Sequence, residues 1–453
     1  MWSQTAAPHG ADRSDGMEQP KVNGRRMRVL VIAEMANPDW VSVPLVGWSH
    51  WHALSKRVDG HLVTHIRNRE DILKRGEDPA RLTTLDPALV EEPVRVLADA
   101  LRGKGGGGWT TLTALNSFSY YYFEHVLWCE LGGRIRAGEW DVVHRLTPLT
   151  PTTPSLLARS CEKWGVPFVL GPLNGGVPWP KGFARARISE NEWLTYVRGA
   201  YKMLPGYRLT RRSAAAIVAG SRDTREQIAR PYRDKTVYIP ENAIDPLRFG
   251  KVKTGPVSLP LKVAFVGRLT LYKGADMLIE AAAPLLRAGK IELDIIGDGP
   301  QKEPLREQAR KEGLPESIFA GWVTHASLPE RLAQANVLAF PSVREFGGGV
   351  VLEAMAMGLV PVVVRYGGPV ELVTPECGFG LPMGSRSEIV ASLRAVLEKL
   401  VLDPSGIRAM GERARERVFR SFTWDAKASQ MIEVYRWVLG QRDRPDFGMP
   451  LTG

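Results

Sequence analysis

The sequence predicts an α/β protein built from two doubly wound parallel sheets. Three observations carry this. Short apolar runs alternate with longer helical patterns along most of the chain, in two successive series, which is the pattern of strands buried on both faces by crossover helices. A stretch rich in Pro, Gly and Lys, DPLRFGKVKTGPVSLP (245–260), stands between the series and reads as a linker. The length, 453 residues, exceeds one ordinary core, and 44% hydrophobic residues suffice to fill two.

Taken in order, residues 1–25 are polar, lack the apolar segment of a secretory signal and read as a disordered tail. An N-terminal Rossmann-like domain is expected over 26–242, with strands at RMRVLVIAEM (26–35), HLVTHIRN (61–68), WDVVHRL (140–146), PFVLGPL (167–173), AAAIVAGS (214–221) and KTVYIPE (235–241). The run GKGGGGW (103–109) is low-complexity and reads as a mobile loop. After a linker over 243–260, the second domain spans 261–422, with strands at LKVAFVGR (261–268), IELDIIGDG (291–299), ESIFAGWV (316–323), ANVLAFPS (335–342) and VPVVVR (360–365). Helical patterns such as ADMLIEAAAPLLRAG (275–289) intervene. A last helix, 423–441, carries two Trp and a Tyr and more apolar surface than a tail needs, so it is expected to dock on the body; 442–453 form a tail.

One segment needs a functional account. From Phe346 to Val364 the chain is almost wholly apolar or Gly/Pro, yet Glu353 sits inside it and Glu345 just before it, across three glycines. The glycines, Pro361 and the charge of Glu353 disfavour a membrane span, although the length approaches the roughly 20 residues a bilayer requires. A strand, a loop, a helix closed by Gly358 and a second strand fit better. In parallel sheets such loops form the ligand edge, at the carboxyl ends of the strands.

Composition excludes several classes. The cysteines Cys129, Cys161 and Cys377 are odd in number and far apart, which argues against a disulfide framework and for a reducing compartment. No Cys/His spacing suits zinc, and no acidic Asp-x-Asp triplet is present, so neither a metal nor a cofactor is expected. A formal charge of +11 calls for anionic partners. Nucleic-acid signatures are absent, leaving nucleoside diphosphates and anionic lipid surfaces. The stretch 181–212 holds eight Lys/Arg against two Glu, with Trp193, Tyr196, Tyr201 and Tyr207 interleaved. It suits either an interfacial amphipathic helix or a solvated helix over the sheet. The expected location is cytoplasmic, with a peripheral contact at the inner membrane face.

The segment FPSVREFGGGVVLEAMAMGLVPVVV resembles the Glu–seven residues–Glu signature of retaining glycosyltransferase family 4, whose members have the GT-B fold. Further segments are similar to successive family blocks, in order: IPENAIDPLRF (239–249), VGRLTLYKGADMLIEA (266–281), IIGDGPQKEPL (295–305), GWVTHASLPERLAQANVLAFPS (321–342) and GGPVELV (367–373). The N-terminal half matches more loosely. Gly47, in NPDWVSVPLVGWSHWHAL (37–54), stands for the family's glycine-rich loop, and GPLNGG (171–176) is similar to a loop of some members. DVVHRLTPLTPTTPS (141–155) aligns with a segment that often carries two histidines; here the second would be Leu146 and the first is His144.

The resemblance implies a GT-B fold, two Rossmann-like domains with the C-terminal helix returning to the first. It also implies transfer of a sugar from a nucleotide-diphosphate sugar to a hydroxyl acceptor, with retention and without metal. The pathway class is polysaccharide, lipopolysaccharide or glycolipid assembly, a lipid-linked acceptor being one option. The catalytic candidates are Glu345, Arg268, Lys273 and His144. The donor-binding candidates are Gly47, Gly267, Arg268, Lys273, Gly297, Gly299, Val323, Glu345, Phe346, Gly347, Gly348, Gly349, Val350 and Glu353.

The chemistry of these residues agrees. A departing diphosphate needs fixed donors; Arg supplies a planar fork and Lys a point charge. EFGGGVV offers backbone N–H groups at a helix start, where an anion is favoured. Glu345 suits sugar hydroxyls and Glu353 the ribose pair, since a carboxylate in an apolar run needs partners. A histidine at a strand end is also often just hydrogen-bonded locally. A GT-B epimerase, a phosphorylase and a non-catalytic nucleotide-sugar binder stay open. A dehydrogenase does not, because no Gly-x-Gly-x-x-Gly follows the first strand.

Overall fold

The computed structural model describes residues 19–87, 109–175, 177–184, 200–250, 252 and 255–448. Most of the expected tail, the Gly-rich run 103–108 and the centre of the basic stretch lie outside the described residues.

Two parallel sheets organise the chain. The first has seven strands: β1 (Arg28–Ala33), β2 (Asp59–His65), β3 (Leu82–Leu85), β4 (Val142–Thr147), β5 (Phe168–Leu173), β6 (Ala216–Ala219) and β7 (Thr236–Tyr238). Their order is 3-2-1-4-5-6-7. The second has β8 (Leu261–Val266), β9 (Ile291–Ile296), β10 (Phe319–Gly321), β11 (Val337–Phe340), β12 (Val360–Val364) and β13 (Phe379–Leu381), in order 10-9-8-11-12-13. In each sheet the order reverses beside its first strand, β1 or β8, the point at which open parallel sheets leave a crevice at their carboxyl edge.

The strands explain their own pairing. Val29, Leu30, Val31 and Ile32 are fully buried, as are Leu338 and Ala339. β-Branched and aliphatic residues covered on both faces suit a central parallel strand. The short strands β3 and β13 carried no sequence signal: LTTL and FGL are too brief and too mixed to separate from loop.

Five helices matter for the site. α1 (Val43–Ser55) follows β1, and α2 (Ala275–Arg287) follows β8. α3 (Gly349–Ala356) follows β11, α4 (Gly368–Leu372) follows β12, and α5 (Trp424–Val438) closes the fold. Thr423 caps α5, its hydroxyl accepting the Ala426 N–H at 3.1 Å. Ala428, Met431, Ile432, Val434 and Tyr435 are buried in the core of the first sheet, against α1. Each buried aliphatic side chain contributes on the order of 1.5–3 kcal/mol, so the last helix is firmly held by the N-terminal domain. Within the stretch that reads as a linker, Ile244 and Phe249 are buried in the C-terminal core, and Ile244 forms a bridge to Thr423. The two chain crossings between domains therefore lie side by side.

Candidate functional site

A cleft of about 1500 Å³ lies between the two sheets. The C-terminal domain contributes Glu345, Phe346, Gly347, Gly348, Gly349, Val350 and Glu353, together with His325 and Ala326. The first domain contributes the 38–49 segment, Glu34, Arg67, Arg75, Tyr120 and 148–150; the hinge contributes Glu241, Asn242 and Asp245.

Lys273 is placed by a single 3₁₀ turn, Leu271–Lys273, which ends in a left-handed residue, Gly274 (φ +79°). A Cβ at Gly274 would lie 2.5 Å from the carbonyl of Pro341, so glycine is required twice over, by backbone conformation and by space. The Lys273 ammonium is ion-paired with Glu345 and lies 5.3 Å from the centre of the Phe340 ring.

The loop bearing Glu345 is fixed from three sides. Gly368 N–H donates to the Glu345 carbonyl at 3.0 Å, and Val343 N–H to the Tyr272 carbonyl at 2.9 Å. The Arg344 guanidinium sits 4.7 Å from the Trp179 ring centre and 5.4 Å from that of Phe346. Gly348 (φ +65°) then turns the chain into α3, and no side chain caps that helix. Val351 N–H donates back to the Gly348 carbonyl at 2.9 Å, while Gly349 and Val350, the first two residues of the helix, line the cleft, where an anion is favoured.

Glu353 has protein partners. Its Oε1 lies 2.8 Å from His325 Nε2 and 3.9 Å from Arg248, whose other nitrogen donates to the His325 carbonyl at 2.6 Å. The carboxylate inside the apolar run is thus held by a His–Arg pair of the protein itself.

The remaining candidates are placed unevenly. Gly267 and Gly297 meet at the ends of β8 and β9, where Gly267 N–H donates to the Ile296 carbonyl at 3.0 Å and Gly297 N–H to that of Gly321 at 2.8 Å. Gly299 packs against the Leu269 backbone. These glycines, Val323, the exposed Arg268 and Lys273 itself lie outside the cleft wall, Lys273 reaching it only through its ion pair with Glu345. Gly47 packs α1 against the Met35 carbonyl, with its neighbours Val46 and Trp48 lining the cleft.

The structure does not bring His144 to the cleft. The side chain is fully buried, with Nδ1 2.6 Å from the Tyr435 hydroxyl and Nε2 2.6 Å from the Gly171 carbonyl. Burial, more than the Arg145 charge, pushes its pKa down to about 4 against the Gly171 hydrogen bond. His144 joins β4 to the returning helix, and both of its ring nitrogens are taken up by hydrogen bonds within the fold.

The sequence reading missed Glu241, Asn242, Arg248 and His325. All four lie in segments whose family resemblance was noted, but a lone polar residue in a loop carries no spacing from which a role can be read. Glu241 is pushed up to about 7 by burial first and also by the Glu345 charge, against the Asn174 amide.

Residues 251–417 match the family model for glycosyl transferases group 1. Glycogen synthase of Mycobacterium tuberculosis is 32% identical over 215 residues, 47% of this chain and 51% of the relative. The 2-deoxystreptamine glucosyltransferase of Streptomyces kanamyceticus is 30% identical over 200 residues, 43% and 49% respectively. The chain spans about half the length of these curated relatives. Over the whole chain the similarity is one of shape. Sucrose-phosphate synthase of Thermosynechococcus elongatus superposes with a TM-score of 0.59 at 17% identity, covering 92% of this chain and 100% of that one. Anabaena HepE in complex with UDP and glucose gives 0.55 at 17%, covering 90% and 98%.

The fold is GT-B.

Both sheets of the GT-B pair are present with the helix that returns from the second domain to the first, and the cleft between them is where the glycine loop and both glutamates converge. Among the described residues no cluster of His, Cys, Asp and Glu could hold a metal ion, and no helix is long and apolar enough to cross a membrane.

Proposed function

We propose that the protein is a retaining glycosyltransferase of family 4. It moves a sugar from a nucleotide-diphosphate sugar to a hydroxyl acceptor in polysaccharide, lipopolysaccharide or glycolipid assembly. The observation that carries this reading is the convergence on one cleft of an uncapped glycine-started helix and Glu345, whose carboxylate is ion-paired with Lys273 just outside the lining. The helix start and Lys273 suit a diphosphate, whose charge grows as the glycosidic bond breaks; fixed donors there stabilise the transition state more than the ground state. Glu345, released in part from Lys273 by the arriving phosphate, accepts hydrogen bonds from sugar hydroxyls. Glu353, oriented by His325 and Arg248, accepts from the ribose. The leaving phosphate itself takes the acceptor proton on the same face, so retention needs no protein nucleophile. The wall formed by 38–49, with Trp40 43% exposed and Val41 67% exposed, is the acceptor side.

The names of the relatives support the same chemistry, since several are sugar transferases and one solved neighbour is described with UDP. The test is a thermal-shift panel of UDP, GDP, ADP and their glucose conjugates. A diphosphate present at 100 times its Kd stabilises by about 2.7 kcal/mol. No shift with any of them at millimolar concentration overturns the reading.

A further inference from the structure

Glu241 belongs to the hinge after β7, yet it sits against the donor loop of the other domain. The carboxyl ends of β5 and β6 meet that loop here. A Cβ on Gly220 would lie 3.3 Å from the Glu241 Cβ and 3.1 Å from that of Asn174. Gly347 has no room for a side chain, because Glu241 Oε1 and Asn242 Nδ2 occupy the place its Cβ would take.

The other cleft carboxylates are already engaged. Glu34 pairs with Arg67 at 2.7 Å, Asp39 with Arg75 at 2.5 Å, Glu345 with Lys273 and Glu353 with His325. Asp245 accepts the Leu247 N–H at 3.0 Å. Glu241, among the described residues, has no cation within ion-pair distance; only neutral amides reach it, that of Asn174 and that of Asn242 at 3.5 Å from its Oε1. An ionised carboxylate in that position is costly, and a diphosphate on the neighbouring glycine loop would make it more so.

We propose that Glu241 is a further donor-site residue, which holds a proton in the complex and donates its O–H from the hinge side to an oxygen of the bound diphosphate. This rests on the nucleotide-sugar reading above. The proton comes from solvent, so donor binding takes up a proton at this carboxyl. The charged groups nearest it are Glu345 on the donor loop with its partner Lys273, Asp245 and Arg248 beyond the hinge, Glu353 with His325 in the cleft wall, and, past Gly220, Arg222 and Glu371, whose carboxylate accepts the Arg222 backbone N–H. With its pKa already up to about 7, Glu241 is partly protonated before the ligand arrives. The diphosphate raises it further. Affinity is therefore highest below pH 7 and weakens as pH rises through that value.

The experiment is calorimetric titration of the full chain with UDP, and GDP beside it, at pH 7.0 in phosphate and in Tris. These buffers differ in ionisation enthalpy and so report protons exchanged. The wild type is expected to take up about half a proton more per diphosphate bound than Glu241→Gln. Equal exchange in the two proteins, with binding intact, overturns the role of Glu241 and leaves the nucleotide-sugar reading standing. Absence of any binding by wild type overturns both. Should the glutamine variant fail to fold, the wild type alone decides: its UDP affinity should fall steadily from pH 6.5 to 8.5, and a flat or rising profile refutes the proposal.

Discussion

Lys427 lies on the returning helix with 1% of its surface exposed and, among the described residues, no hydrogen-bond partner for its ammonium. Its ammonium lies 4.9 Å from the Phe422 ring centre and near enough to His50 to lower that ring's pKa, and both His50 ring nitrogens are likewise buried without hydrogen-bond partners among the described residues. Burial pushes the lysine down from 10.5 to about 7. That difference of about 3.5, at about 1.36 kcal/mol each, is close to 5 kcal/mol in full and about 4 kcal/mol at pH 7, where the folded lysine is half charged and the unfolded one fully so.

The sign follows directly. Between about pH 7 and 10.5 the unfolded chain binds the proton and the folded one does not, so stability rises with pH across that window. Below pH 7 the penalty is full. Lys427→Met removes a titrating group and keeps the volume, so it should raise stability at pH 7 by up to about 4 kcal/mol. For a domain of this size that is roughly 5–10 °C in Tm. The advantage over wild type should shrink by roughly 1–2 kcal/mol between pH 7 and 8.5. Other groups titrate in both proteins and cancel in the difference. Thermal melts followed by circular dichroism at pH 7.0 and 8.5 make the measurement. A methionine variant that melts at or below wild type at pH 7, or a gap that stays constant with pH, refutes the argument that Lys427 is buried at a cost.

Glu345→Gln should mainly lower kcat and Glu353→Gln mainly raise the donor KM, since the reacting sugar and the ribose differ in what they gain at the transition state; each loss should be roughly ten- to a hundred-fold. Steady-state kinetics with the true donor check this, and identical defects would contradict the division. Gly274→Ala should destabilise by about 2–4 kcal/mol, from the left-handed backbone and the Pro341 carbonyl together, and should weaken diphosphate binding by shifting Lys273; denaturant melts and UDP titration read the two effects. Transfer should persist in excess EDTA, and activity lost there and restored by Mn²⁺ or Mg²⁺ would exclude a metal-independent mechanism.

What was legible in the sequence follows from what repeats. Strands such as RVLVIA and VPVVV announce themselves because burial on both faces demands unbroken apolar runs, and two series of them fix two sheets. The glycine loop is legible for a related reason: Gly347 and Gly348 must stay bare where Glu241, Asn242 and Pro369 press on them. Position within the fold is another matter. Lys273 and Glu345 are 72 residues apart, and only the parallel neighbours β8 and β11 bring them into one ion pair. His144 and Tyr435 are 291 apart, and their hydrogen bond exists because the last helix returns to the first sheet. A histidine looks the same in sequence whether its nitrogens face a sugar or a tyrosine. Glu241 shows the converse. Its local context is an ordinary hinge after a strand, and its character comes from Gly220 beneath it, the donor loop above it and the charge of Glu345 beside it. Its raised pKa arises from three-dimensional neighbours that the chain sets far apart, so the motif residues of this cleft could be read from the sequence, while the setting of Glu241 could be read only from its surroundings.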